Sequence, residues 1–234
     1  MKPFFPYIGS KYTLAPRYGA PRYPVVIEPF CGSAAYAVRH NIKHAILIDK
    51  FYKICDLWGY LVAARPKDIM KLPIDFDRIS QLDIPDGAKY LIGFWISKGD
   101  AEPKDTRSAW ARQYRYDPIC RVWNEAVRDR IAKQVDLIKE WEILWGDFQL
   151  APDIEATWFV DPPYFDAGRR CYNDWQIDYP KLERFCRTRL GQLIVCEGSD
   201  APWFEFKHFA NARGTFGKFR TGRSSEFAYI GDRL

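Results

Sequence analysis

Asp161-Pro162-Pro163-Tyr164 ends the apolar run Trp158-Phe159-Val160 with a carboxylate, two rigid backbone carbonyls and an aromatic face. That set suits gripping an exocyclic amine on a flat ring. The oxygens would accept the amine hydrogens while the tyrosine stacks on the ring. A proline pair cannot continue a sheet ladder, so the chain must turn here. Pro163 also keeps Pro162 extended, which fixes where the Asp161 carboxylate and the Pro162 carbonyl point. A strand with a plain proline turn is the structural alternative. The flanking Asp and Tyr favour the chemical reading.

Glu28-Pro29-Phe30-Cys31-Gly32-Ser33-Ala34-Ala35 follows the first apolar strand. Small residues in a strand-to-helix turn let a ligand approach the backbone beside the positive end of the next helix. Gly-x-Gly-x-x-Gly is absent, which argues against a nicotinamide enzyme. Asp49 ends the second strand about twenty residues further on, where an acid is the expected partner of a ribose hydroxyl. Asp147 and Phe148 end the third strand, an acid and an aromatic suited to an adenine. Each element is weak by itself. Together they outline an adenosine site along the carboxyl edge of one sheet.

The elements that must position these residues alternate between short apolar strands and helical stretches, the pattern of an α/β domain with a mostly parallel sheet. Strands are expected at 25–28, 45–48, 142–146, 157–160 and 192–197, with a final hairpin near 216–230. Helices are expected at 33–41, 51–64 and 181–190. One long helix is expected over 119–141, where Ile119, Val122, Trp123, Ala126, Val127, Ile131, Val135 and Ile138 form a stripe. Residues 97–118 break the rhythm with Gly99, Pro103, Asp105 and Pro118 and read as an inserted loop segment.

A chain of 234 residues fits one domain with a modest insertion. Its 47% apolar and 28% charged content is that of an ordinary soluble fold. The net charge of +5 is modest, but its distribution is uneven. Lys207, Arg213, Lys218, Arg220 and Arg223 form one basic stretch. Arg107, Arg112, Arg115 and Arg121 form another, interleaved with Trp110, Tyr114 and Tyr116. Basic residues mixed with aromatics suit a nucleic-acid backbone, although either stretch taken alone reads more readily as a solvated face. The six cysteines are scattered, so neither a zinc site nor a disulfide framework is indicated. The opening Met-Lys-Pro-Phe-Phe-Pro-Tyr lacks an apolar signal core and no apolar run reaches membrane length, so a reduced, cytoplasmic protein is expected.

These motifs resemble, over essentially the full length, the Dam-like DNA adenine-N6 methyltransferases whose cofactor motifs precede the catalytic tetrad. Pro6-Tyr7-Ile8-Gly9-Ser10-Lys11 is similar to the family's aromatic-x-Gly-Gly-Lys segment, with Ser10 for the second glycine. Ile27 to Ala34 is similar to its Val-Glu-Pro-Phe-x-Gly-Gly-Gly turn, with Ser33 and Ala34 for two glycines. Asp161 to Tyr164 match the catalytic tetrad, and Ser225-Glu226-Phe227-Ala228-Tyr229-Ile230 resembles the C-terminal strand.

The resemblance implies a Rossmann-like S-adenosylmethionine-dependent methyltransferase fold. Its sheet would be seven-stranded and mostly parallel, with a C-terminal antiparallel hairpin, in a single domain over 1–234. A target-recognition segment would be inserted at about 97–124. Asp161, Pro162, Pro163 and Tyr164 would be catalytic. Tyr7, Ile8, Gly9, Lys11, Glu28, Phe30, Cys31, Gly32, Ser33, Asp49, Asp147, Phe148 and Asp161 would hold S-adenosylmethionine, leaving S-adenosylhomocysteine as product with no metal required. Lys11, Arg107, Arg112, Arg115, Lys218, Arg220 and Arg223 would contact double-stranded DNA. A monomer or weak dimer is implied, serving restriction-modification or viral DNA modification. Transfer to cytosine N4, RNA adenine or a protein amide uses similar geometry and stays open, as does a catalytically silent DNA-binding relative.

Overall fold

Val25–Glu28 (β1), His44–Asp49 (β2), Glu142–Trp145 (β3), Ala156–Val160 (β4), Gly191–Glu197 (β5), Lys207–Arg213 (β6) and Arg223–Arg233 (β7) hydrogen-bond into one sheet in the order β3-β2-β1-β4-β5-β7-β6. The computed structural model describes residues 1–96, 100–114, 116–117, 122–165, 177–213 and 223–233. The five strands from β3 to β5 run parallel, while β7 lies antiparallel to both β5 and β6. This is the mixed, mostly parallel sheet with a C-terminal antiparallel pair that the resemblance implies, consistent with a Rossmann-like methyltransferase fold. Every residue of β4 and β5 is buried, as expected for strands covered by packing on both faces.

Two cores cover the faces. One holds Trp58, Phe94, Trp123 and Ile131, and the other Trp158, Phe185, Leu193 and Trp203. The helices Ala35–His40 (α1), Tyr52–Ala63 (α2) and Tyr179–Arg187 (α7) fall where the apolar periodicity predicts them. Short helices Pro66–Met70 (α3), Asp86–Trp95 (α4) and Ala109–Gln113 (α5) complete the part before Asn124. No helix among the described residues is long and apolar enough to cross a membrane.

The order β2-β1-β4 reverses direction of winding between β1 and β4. In open α/β sheets that reversal leaves a crevice at the carboxyl ends of the two strands, the usual place for a ligand. Glu28 ends β1 and Asp161 directly follows β4, so the two most telling sequence motifs meet there.

The expected helix over 119–141 is not continuous. Asn124 caps a shorter helix, Glu125–Ala132 (α6), by accepting from the Val127 amide at 2.9 Å. A 3-10 turn follows at Val135–Ile138. The break falls where Gln134 exchanges hydrogen bonds with both backbone groups of Lys2 (2.8 and 3.1 Å). Most of the stripe is buried: Val122, Trp123, Val127, Ile131, Val135 and Ile138 are, whereas Ala126 is exposed in the first turn of α6 and Ile119 lies outside the described residues. The expected hairpin starts earlier than 216, at Lys207, and residues 214–222 lie outside the described set.

The segment after α4 is tied down by polar contacts. Asp105 accepts from the Ser80 amide (2.7 Å) and from Arg78 (3.1 Å). Arg107, expected to meet DNA, instead is 5% exposed. Its guanidinium donates to the Trp123 carbonyl (3.1 Å) and the Ile74 carbonyl (2.6 Å) and lies over the Phe76 ring. A planar fork committed to buried carbonyls is not available to a phosphate. Arg107→Ala should therefore lower unfolding stability by about 2–4 kcal/mol, from lost charged hydrogen bonds and stacking. Denaturant melts check this, and a change below about 0.5 kcal/mol, the surface-substitution range, would contradict it.

Candidate active site at the sheet switch point

The turn after β1 is held by a buried acid. Glu28 is 2% exposed, and its carboxylate accepts from the Ala37 amide at 2.7 Å, in the first turn of α1. It thus caps a helix whose own N-cap residue, Ala34, offers no side-chain acceptor. Burial pushes the Glu28 carboxyl up to about 8, against the pull of the Ala37 amide, and the Asp161 charge adds to the rise. Gly32 takes φ +43°, and a Cβ there would lie 2.9 Å from two ring carbons of Tyr7. Only glycine lets the N-terminal segment close over this turn. Ser10 and Ser33 then join the two through their hydroxyls at 3.0 Å.

Asp49 closes the same turn from β2. One oxygen accepts from the Gly32 amide and the other from the Phe51 amide, both at 2.9 Å. Burial raises its pKa while those amides oppose the shift. Phe30 and Phe148 face each other with ring centroids 5.6 Å apart and form an apolar wall.

Across the crevice, Lys11 reaches in from the N-terminal segment. Its ammonium lies 2.9 and 3.0 Å from the two Asp161 oxygens, 3.0 Å from the Gly9 carbonyl and 3.7 Å from Glu226. It also lies over the Tyr164 ring, 4.8 Å from the centroid. Burial disfavours the ammonium, but Asp161 and then Glu226 outweigh it and hold the lysine above its ordinary pKa. Burial pushes both carboxyls up, and Lys11 draws each back. Asp161, Cys196 and Glu226 offer ligand atoms within 4.8 Å of one another. The Lys11 ammonium already lies against both carboxylates, so a metal ion would have to displace it.

The tetrad is pinned from behind. Tyr164 donates its hydroxyl to Glu226 at 2.5 Å, and Tyr18 donates to the same oxygen at 3.0 Å. Tyr179 donates to the Pro163 carbonyl at 2.6 Å. Glu197, at the end of β5, accepts from the amides of Phe165 and Gly198 and from the Trp203 indole. Burial raises the Glu197 pKa, opposed by those three donors.

One pocket collects all but one of the residues expected to be catalytic or to hold the cofactor. Tyr7, Ile8, Gly9, Lys11, Glu28, Phe30, Cys31, Gly32, Ser33, Asp49, Phe148 and Asp161 line it, with Pro162, Pro163 and Tyr164. Asp147 does not. Its carboxylate pairs with Lys50 at 2.7 Å and caps the 3-10 turn Phe148–Leu150 through the Gln149 amide. Lys11 is 6% exposed and committed to Asp161, so its place is inside the pocket rather than on a DNA-facing surface. Arg112 donates to the Arg107 carbonyl at 2.9 Å. Arg115, Lys218 and Arg220 lie outside the described residues, and Arg223 begins β7. Glu226, Glu197 and Tyr18 had no role in the sequence reading. The only signal for any of them was the C-terminal motif around Glu226.

Residues 7–91 match the family model of the D12 class N6 adenine-specific DNA methyltransferases. The matched span includes the Tyr7–Lys11 segment, the turn after β1 and Asp49, and is consistent with a Dam-like adenine methyltransferase. The family implies adenine N6 methylation of DNA with S-adenosylmethionine as methyl donor. No curated protein matches the chain.

The Glu28 geometry has a pH signature. Its folded pKa of about 8 exceeds the ordinary 4.5, so the folded state holds this proton more tightly than the unfolded chain does. Its contribution to stability is complete below pH 4.5 and is lost as pH rises through about 8. Glu28→Gln, which keeps an acceptor for Ala37, should flatten the fall in stability across that window. Urea melts at several pH values check it, and an unchanged slope would contradict it.

Proposed function

We propose that this chain transfers a methyl group from S-adenosylmethionine to N6 of adenine in double-stranded DNA. The observation that carries the reading is the Lys11–Asp161 ion pair, 2.9 Å long. It joins the segment covered by the family match to the Asp-Pro-Pro-Tyr tetrad, which lies outside that match, within a single pocket.

The residues present fit a sulfonium nucleoside. Asp161 places an acid in the lining, which suits a positively charged guest. Asp49 lies at the strand end suited to a ribose, Phe30 and Phe148 supply an apolar wall, and Gly32 leaves backbone open. The lining residues from Tyr7 to Asp49, with Phe148 and Asp161, would hold S-adenosylmethionine, which when bound supplies a methyl group activated by its positive sulfur.

The work of the chain is to prepare the amine. Adenine N6 is a poor nucleophile because its lone pair is delocalised into the ring. The Asp161 carboxylate and the Pro162 carbonyl would accept its two hydrogens and favour a more tetrahedral nitrogen with its lone pair available for attack. The nitrogen, once methylated, would release one of those protons by way of Asp161 to water. Among the described residues no donor reaches the Pro162 carbonyl, whereas the Pro163 carbonyl is taken by Tyr179. Tyr164 stacks on the base. Extruding that base from a duplex costs a few kcal/mol, and stacking returns roughly 1–3 kcal/mol. Positioning supplies most of the acceleration. Residues 97–124 serve target recognition in this reading, with Arg112, Arg115, Lys218, Arg220 and Arg223 as candidate backbone contacts.

Asp161→Asn keeps the shape and removes the charge. It should cut incorporation of labelled methyl into duplex DNA by about a hundredfold or more in a protein that still unfolds cooperatively. Its melting midpoint should be lowered, because the buried Lys11 ammonium loses its charged partner. Near-native incorporation would sink the assignment. Asp49→Ala should weaken S-adenosylmethionine binding by calorimetry more than it slows transfer at saturating cofactor. Unchanged affinity would remove Asp49 from the binding role.

A further inference from the structure

The C-terminal hairpin contributes a residue to the tetrad that the match to residues 7–91 does not reach. Glu226 lies on β7, where β7 pairs with both β5 and β6: Phe227 is opposite Glu197, and Glu226 opposite Ala210. Its side chain is buried at 4% exposure. One of its oxygens accepts from Tyr164 (2.5 Å) and Tyr18 (3.0 Å) and lies 3.7 Å from the Lys11 ammonium.

We propose that Glu226 is the positioning residue for the methyl-acceptor half of the site, holding the Tyr164 ring by its hydroxyl and keeping a second anion beside Lys11. The proposal rests on the methyltransferase reading above for its consequence, but not for its geometry.

Two observations support a positioning role. A phenol can rotate about two side-chain torsions, and a stacking platform that rotates loses its face. Glu226 fixes the hydroxyl end of that ring with a charge-assisted hydrogen bond, the stronger kind. The other end is set by close packing: a Cβ at Gly198 would lie 2.5 Å from the Tyr164 Cδ2 atom, so only glycine admits the ring in this orientation. The ring is thus held at its edge and at its hydroxyl while it lines the pocket.

The second part concerns charge. Lys11 contacts both Asp161 oxygens, so an amine hydrogen arriving at Asp161 competes with the ammonium for the same carboxylate. Glu226 lies 3.7 Å from the same ammonium, so a small lysine movement exchanges one carboxylate for the other. The cation is then never left unpaired in a buried site, where an uncompensated charge is costly. Tyr18, on the far side, keeps Glu226 in place during that exchange.

The test uses Glu226→Gln, Tyr164→Phe and the double variant of the full chain. Glu226→Gln and Tyr164→Phe should each slow single-turnover methyl transfer by about tenfold or more, the scale of one charged hydrogen bond. The double variant should be no slower than the worse single variant, because both changes remove the same contact. S-adenosylmethionine affinity should stay within about twofold of wild type, separating a positioning defect from general damage. Independent of any activity, tyrosine labelled with 13C at Cζ gives a Tyr164 resonance, assigned by its loss in Tyr164→Phe. That resonance should shift in Glu226→Gln. A wild-type rate in either single variant, multiplying losses in the double, or an unmoved resonance would overturn the proposal. If Glu226→Gln fails to fold, the Tyr164→Phe rate decides. If wild-type protein methylates no DNA, the methyltransferase reading fails separately, and the resonance still decides whether Glu226 holds the ring.

Discussion

The site depends on a single buried cation. The Lys11 ammonium bridges Asp161 and Glu226 and lies over Tyr164, so three distant parts of the chain meet at one charge. Two carboxylates this deep would not both stay ionised without it, because burial raises both their pKa values. An ammonium this deep would lose its proton without them. The N-terminal segment therefore cannot leave the pocket without unpairing charges on β7 and after β4. Its closure is reinforced by the Tyr7 ring on Gly32 and by the Ser10–Ser33 hydroxyl pair. Sheet order does the rest: with β1 between β2 and β4, the two motifs have to share a crevice.

What the sequence disclosed and what it concealed follow from range. The Asp161–Tyr164 tetrad and the turn after Glu28 are local: every residue needed to interpret them lies within a few positions, and both motifs occupy the pocket they suggested. Glu226 showed only as a position in the C-terminal motif Ser225 to Ile230, with no function attached. Its partners Tyr164 and Tyr18 are 62 and 208 residues away, so its role lies in contacts that no local pattern carries. Asp147 shows the converse, a local pattern whose partner is set at longer range. An acid at a strand end satisfied the pattern, but Lys50 at the end of the neighbouring strand captures its carboxylate.

The insertion taught a related lesson. Arginines interleaved with aromatics were legible as a composition, yet composition does not say which way a guanidinium points. Arg107 turned inward to the Ile74 and Trp123 carbonyls and became part of the scaffold. The stripe from Val122 to Ile138 was legible as a mostly buried face. Its continuity was not, because Asn124 caps α6 and the Gln134 contacts with Lys2 fall where the helix gives way.

The central claim is that this pocket methylates the exocyclic amine of adenine in DNA. Purified protein incubated with S-adenosylmethionine and unmodified duplex DNA, followed by digestion and mass spectrometry of the nucleosides, tests it most directly. The account predicts N6-methyldeoxyadenosine as the methylated nucleoside. Methyl groups found on cytosine N4, or on no nucleoside at all, would contradict it.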